Sequence, residues 1–173
     1  MSAAPVIETA RLVLRGHRTC DLEECVALWA DPGVTRFIGG KPSTREETWS
    51  RVLRYAGHWS LMGYGYWAAR EKGTDRFVGE IGFADFKREL DPPFGDTPEM
   101  GWALSPAFHG QGYATEAVSA ALAWADARFP RAVCMISPEN APSLRVAAKV
   151  GFAEYARTTY RDPVILFERF RPA

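Results

Sequence analysis

Ser105-Pro106-Ala107-Phe108-His109-Gly110-Gln111-Gly112-Tyr113-Ala114-Thr115-Glu116 lies between an apolar, strand-like run, Met100-Gly101-Trp102-Ala103-Leu104, and a helix-like run over residues 113–128. Pro106 has no N–H to give a ladder and stops the strand. Gly110 and Gly112 have no Cβ, so the backbone can curl there and approach a ligand closely. The helix then opens with its first N–H groups unpaired and the positive end of its dipole towards the loop. A strand, a glycine loop and a helix start together make a phosphate site from backbone alone. Two nucleotide-loop alternatives fit less well. Gly112 is followed by Tyr113-Ala114, where a Walker loop needs Lys-Ser/Thr, and Thr115 stands where the dinucleotide fingerprint has its third glycine. That fingerprint also belongs in the first turn of a parallel sheet, whereas this loop follows several antiparallel-looking strands.

The remaining pattern gives one mixed α/β domain over residues 1–173. Arg11-Leu12-Val13-Leu14-Arg15 alternates at period two, as a half-buried strand does. Asp21-Leu22-Glu23-Glu24 has the form of a capping box, with Asp21 as the cap of a helix that ends before Asp31-Pro32-Gly33. Phe37-Ile38-Gly39-Gly40-Lys41-Pro42 reads as a loop, either a lid over the core or part of a pocket. Ser43 or Thr44 caps a second helix running to about Leu61. Strands follow over 66–70, 76–83 and 99–104, with a charged, proline-rich loop over 88–97. After the helix at 113–128 come an apolar strand at 132–136, a helix at 143–150 with Pro142 in its first turn, and strands at 153–160 and 164–170. The order β-α-α-β-β-β-α-β-α-β-β predicts a central mixed sheet of about seven strands flanked by about four helices.

Composition excludes several classes of partner. Lys+Arg and Asp+Glu number 21 each, so no basic field points to nucleic acid or anionic lipid. No run approaches the ~18 apolar residues of a membrane span, and the first residues lack a secretion signal. Cys20, Cys25 and Cys134 are odd in number and read as reduced thiols of a cytoplasmic protein. Three histidines with no evident clustering with Cys or carboxylates argue against a metal site.

His109-Gly110-Gln111-Gly112-Tyr113-Ala114 resembles the acyl-CoA pyrophosphate loop of the GNAT N-acetyltransferase superfamily, Arg/Gln-x-x-Gly-x-Gly/Ala, with His109 in place of the usual Arg or Gln. Thr9-Ala10-Arg11-Leu12-Val13-Leu14-Arg15 near the start, and Asn140-Ala141-Pro142-Ser143 through Gly151-Phe152 near the end, extend the likeness to the RimJ/RimL-type branch. The resemblance covers nearly the whole chain. It implies an acetyl-CoA-dependent N-acetyltransferase acting on a primary amine by direct transfer in a ternary complex, with no metal; a homodimer is compatible with it.

By position, the resemblance gives backbone groups of Trp102, Ala103 and Leu104 to the pantetheine arm, with one N–H facing the thioester oxygen. Gly110, Gln111, Gly112, Tyr113, Ala114 and Thr115 surround the pyrophosphate, and Asn140 reaches coenzyme A beyond the next strand. Glu99, opening the strand of the acyl arm, is the base acting through water, with Glu80 the competing carboxylate. Many relatives carry a tyrosine acid seven residues after the Asn; Ala147 stands there, and Ser143 is the nearest replacement. His109 reads as a solvated loop residue, and Trp49, Trp59, Tyr66 and Trp67 as core or acceptor platform. Two other classes stay open: a non-catalytic acyl-CoA-binding or sensing module, and a structural protein with an inherited fold. The acceptor amine is not legible, because this fold hosts many.

Overall fold

The computed structural model describes residues 3–173. Its strands are β1 (Ile7–Glu8), β2 (Leu12–Arg15), β3 (Tyr66–Glu71), β4 (Phe77–Ala84), β5 (Glu99–Leu104), β6 (Arg131–Ile136), β7 (Ala153–Tyr160) and β8 (Asp162–Phe170). Its helices are α1 (Leu22–Ala30), α2 (Pro32–Thr35), α3 (Arg45–Met62), α4 (Tyr113–Asp126) and α5 (Ala141–Lys149). Eight strands and five helices replace the expected seven and four. The additions are the two-residue β1 and the single-turn α2, where Asp31 accepts from the Gly33 and Val34 amides.

The strands form one sheet in the order β1-β2-β3-β4-β5-β6-β8-β7. Every neighbouring pair is antiparallel except β5 and β6. β3 and β4 are buried along almost their whole length, since helices cover both faces of the sheet there. On one face Trp67, Val78, Phe83 and Met100 pack with Ala117, Val118, Ala121 and Leu122 of α4. On the other, Ala68, Phe77 and Ala103 pack with Cys25, Leu28 and Trp29 of α1 and Val52 of α3.

The predicted cap of α3 forms and that of α1 does not. Thr44 and Glu47 make a reciprocal capping box on α3, and Gly63 ends that helix at φ 72°. Asp21, by contrast, makes no side-chain cap on α1. Its carboxylate accepts from both terminal nitrogens of Arg15 at 2.7 and 2.8 Å and from the Arg18 amide at 2.7 Å. A buried charge pair outcompetes the helix end for those lone pairs.

Candidate active site

β5 and β6 share one pair of register partners, Glu99 and Val133, with a bond from the Val133 amide to the Pro98 carbonyl at 3.1 Å. Beyond that point the two strands diverge, although β5 stays paired with β4 as far as Leu104. One edge of β5 is therefore open. Strand alternation decides which groups line it. The Ser105 amide donates to Val78 on β4 at 2.9 Å, so Ser105, Ala103 and Gly101 turn their main chain to β4. Met100, Trp102 and Leu104 turn theirs to the open edge. The main chain of Trp102 and Leu104 thus lines that edge, whereas that of Ala103 is turned into the β4 ladder. The Leu104 carbonyl accepts from His109 Nε2 at 2.8 Å, so His109, though exposed, ties the loop to the strand.

The loop after β5 has the expected curl. Gly110 and Gly112 take φ of 71° and 81°, and Gly112 is the N-cap of α4. Among the described residues, the amides of Gly110, Gln111, Gly112, Tyr113, Ala114 and Thr115 donate to no main-chain carbonyl. Six such donors at a helix start suit an anion with several oxygens. The side chains here brace the loop rather than line it. Gln111 Nε2 donates to the Ala107 carbonyl at 2.8 Å, and the Tyr113 hydroxyl donates to Glu71 on β3 at 2.5 Å. Sequence reasoning missed Arg11 here. Its Nη1 donates to the Gln111 carbonyl at 2.9 Å, its Nε pairs with Glu116 at 2.7 Å, and its guanidinium stacks on Tyr113 at 4.1 Å. An Arg just before β2, a hundred residues away, carries no local signal of that contact.

The open edge leads into a cavity of about 940 Å³ whose lining includes Trp29, Phe37, Ile38, Tyr55, Tyr66, Glu99, Trp102, Asn140 and Ser143. Phe37 and Ile38 do line a pocket, and Tyr66 does too, whereas Trp59 and Trp67 are core. Asn140 is the N-cap of α5, its Oδ1 accepting from the Ser143 amide at 3.3 Å. The cap is therefore Asn140, and Ser143 lies on the cavity lining.

Glu99 is 7% exposed and held by Arg88, whose Nε and Nη2 donate to its two oxygens at 2.6 and 3.0 Å. Burial pushes its carboxyl above the ordinary range, with Arg88 opposing the shift. Glu80 is fully buried. Its oxygens accept from Trp29 Nε1 at 2.8 Å and Tyr55 Oη at 3.1 Å, with His17 Nε2 at 3.2 Å. Burial works against its charge, and hydrogen bonds from His17, Trp29 and Cys25 outweigh that and hold its pKa low. One ligand atom each of Glu80, His17 and Cys25 lies within 4.8 Å of the others, a clustering of β4 with the region around the start of α1 that the sequence reading did not anticipate. Tyr55 and Trp29, which hold Glu80, lie on the cavity lining, and Glu80 behind them does not. Of the two carboxylates, Glu99 lies on the lining.

An open strand edge, a helix start able to hold phosphates and a cavity with a buried carboxylate suit transfer from a long, phosphorylated donor. Comparison with known proteins agrees with that class. Residues 11–153 match the family described as the acetyltransferase (GNAT) domain. The chain belongs to the GNAT acetyltransferases and is an acyltransferase enzyme. It is 28% identical over 148 residues to an uncharacterized N-acetyltransferase of Bacillus subtilis, YnaD, covering 84% of this chain and 81% of that protein. An acetyltransferase structure from Agrobacterium tumefaciens superposes with a TM-score of 0.83 at 27% identity, covering 98% of this chain and 96% of that one. The ribosomal L7/L12 alpha-N-protein acetyltransferase RimL, solved in complex with coenzyme A, superposes with a TM-score of 0.80 over 96% of this chain and 98% of its own. At 18% identity that likeness is one of fold.

Proposed function

We propose that the protein transfers an acetyl group from acetyl-CoA to a primary amine, directly, with donor and acceptor bound together. The observation that carries this reading is the open edge of β5 running from the amide-rich start of α4 into the cavity. The pyrophosphate sits on the amides of Gly110, Gln111, Gly112, Tyr113, Ala114 and Thr115. The pantetheine arm lies along β5 like an added strand, on the peptide groups of Trp102 and the amide of Leu104. The coenzyme A seen in the RimL structure supports the choice of donor by kinship of fold.

The thioester is already activated, so the residues have three tasks: orient the amine, accept its proton and protonate the departing thiolate. Glu99 takes the proton through water. Its raised pKa suits a base better than an ordinary carboxylate, and Arg88 fixes its orientation. An N–H of the open edge, from Trp102 or Leu104, faces the thioester oxygen as charge develops on it. The amine nitrogen bonds to the acyl carbon, the C–S bond breaks, and the Ser143 hydroxyl relays a proton to sulfur, taking one from water as it gives its own up, while Glu99 returns the amine's proton to solvent. Thiol release from acetyl-CoA with a panel of amines tests the reading: turnover with at least one primary amine is expected. Acetyl-CoA binding with no turnover of any amine would favour a non-catalytic acyl-CoA sensor instead.

A further inference from the structure

The cavity wall opposite α4 carries three arginines, Arg36, Arg51 and Arg54, and none of them is ion-paired among the described residues. Two cations on the adjoining wall are paired, Lys87 with Asp85 at 2.7 Å and Arg88 with Glu99 at 2.6 Å, whereas Arg161 lies 5.9 Å from the centre of the Tyr160 ring. Carboxylates near the three arginines are engaged elsewhere. Glu47, one turn before Arg51 on α3, accepts from the Thr44 amide at 2.7 Å, and Glu80 is held by Trp29, Tyr55 and His17.

Each of the three is placed by an aromatic ring. The guanidinium of Arg51 lies 3.7 Å above the centre of Trp29, Arg36 4.9 Å above Phe37, and Arg54 5.0 Å above Phe86. Arg51 Nε is shut off from solvent and has no partner among the described residues. Arg54 has its pKa lowered, chiefly by burial and secondarily by Arg51. Aromatic stacking thus holds these cations at one cavity wall, where Arg51 disfavours the charge of Arg54. A bound anion relieves that repulsion and supplies acceptors for the planar N–H forks.

The arrangement also says which ligand supplies the anion. Trp29 and Val52 belong to the helical layer on the face of the sheet away from α4, whereas the loop at 110–115 opens α4 itself. The arginines therefore stand on the acceptor side, apart from the amides assigned to the donor's phosphates. From this we infer that the acceptor is an amine carrying a carboxylate, and that Arg51 and Arg54 bind that carboxylate while Glu99 receives the amine's proton. The inference rests on the acetyl-transfer reading above and narrows its substrate class.

The test compares kcat/KM for leucine with leucinamide, aspartate with asparagine, and glutamate with glutamine, in the wild type, Arg51→Gln, Arg54→Gln and the double variant. Amidation of the α-carboxylate also lowers the amine's pKa, so a preference for leucine over leucinamide runs against intrinsic reactivity. At least one acid is expected to exceed its amide about 10-fold or more in the wild type. The variants should erase that ratio through the acceptor KM, with the acetyl-CoA KM unchanged. Equal rates for every acid and amide pair overturn the inference. So does a rise in acetyl-CoA KM matching that of the acceptor, which would assign the arginines to the donor.

A binding arm separates this failure from that of the acetyl-transfer reading. N-acetyl-leucine and N-acetyl-aspartate are titrated calorimetrically into the protein with coenzyme A, against their amides. Binding that needs the carboxylate and Arg51 supports the arginine site even where no amine turns over. No binding of any of them, together with no turnover, overturns both.

Discussion

Arg88 grips both oxygens of Glu99 inside a wall of low exposure, and that fixes what each can do. A buried carboxylate with a single cation beside it stays a usable base only while its charge is balanced. Glu99→Gln is expected to lower kcat about 10²–10⁴-fold, the usual contribution of a general base, with acetyl-CoA KM unchanged. The wild-type rate should fall as pH drops through a value above the ordinary carboxylate range, and that limb should vanish in the variant. Ser143→Ala should produce a smaller loss that rising pH does not repair, because its step concerns the thiolate. Glu80→Gln should behave otherwise: lower thermal stability, with kcat largely kept in the folded fraction. Pre-steady-state rates of these variants across pH, beside their melting temperatures, decide among the roles. Glu99 was legible as a carboxylate at a strand start. Its partner Arg88 was not, since it arrives from a proline-rich loop whose path no periodicity describes.

β5 is the element proposed to carry the donor, and Tyr66 leaves no room for a side chain on it at Gly101. A Cβ at Gly101 would lie 2.0 Å from the Tyr66 hydroxyl oxygen, and no rearrangement of a buried ring stacked 4.4 Å from Tyr55 relieves that cheaply. Gly101→Ala is expected to destabilise by about 1–3 kcal/mol through overpacking and to weaken acetyl-CoA binding. Tyr66→Phe removes the colliding atom, so the double variant should recover most of both losses. Chemical denaturation and calorimetry on the four proteins of that cycle measure it. A double variant as impaired as Gly101→Ala alone would show that the collision is not the cause. α3 and α4 were legible from their helical period, and β3 and β4 as apolar runs joined by a glycine turn. The two-residue β1 and four-residue α2 are too short to show a period or a run. The splay of β5 from β6 was also hidden, since it is a property of pairing between strands and leaves no mark within either.

Across the whole molecule, charges balance in number yet are unevenly committed. Asp21, 1% exposed, draws Arg15, the Arg18 amide and Arg70 together and fastens the start of α1 to β2 and β3. Burial raises its pKa, but the Arg15 and Arg18 hydrogen bonds carry it below the ordinary value. Glu116 is lowered too, by Thr9 and Arg11 against burial, and Glu71 to about 2 by Thr74, Tyr113 and Arg76. A carboxylate with a depressed folded pKa stabilises fully above its unfolded value, near 3.9 for Asp and 4.3 for Glu. That contribution disappears as pH falls through the folded value. Glu99, raised by burial, acts in the opposite sense, so acid loss should track Asp21, Glu71 and Glu116. Asp21→Asn is expected to cost about 3–5 kcal/mol at neutral pH, because Arg15 and Arg70 keep their charge without it. It should also flatten the fall in stability below about pH 4. Urea midpoints from pH 3 to 7 for both proteins test this, and an unchanged slope in the variant would move the acid sensitivity elsewhere. The balanced 21 and 21 were plain in the sequence. Which pairs are buried depends on contacts between β2, β3 and α1 that only the fold brings together.

The account stands on acetyl-CoA lying on the amides at the start of α4 and along β5. Gly112, at φ 81°, is where that claim is most exposed to test. An Asp there adds a side chain in a left-handed conformation, and a negative charge where phosphate is placed. The measurement is calorimetric titration of acetyl-CoA into wild type and Gly112→Asp, with circular dichroism showing that the variant is folded. The account predicts saturable binding by the wild type and an affinity at least about 10-fold weaker in the variant, a loss of about 1.4 kcal/mol or more. Equal affinity in the two folded proteins would contradict it.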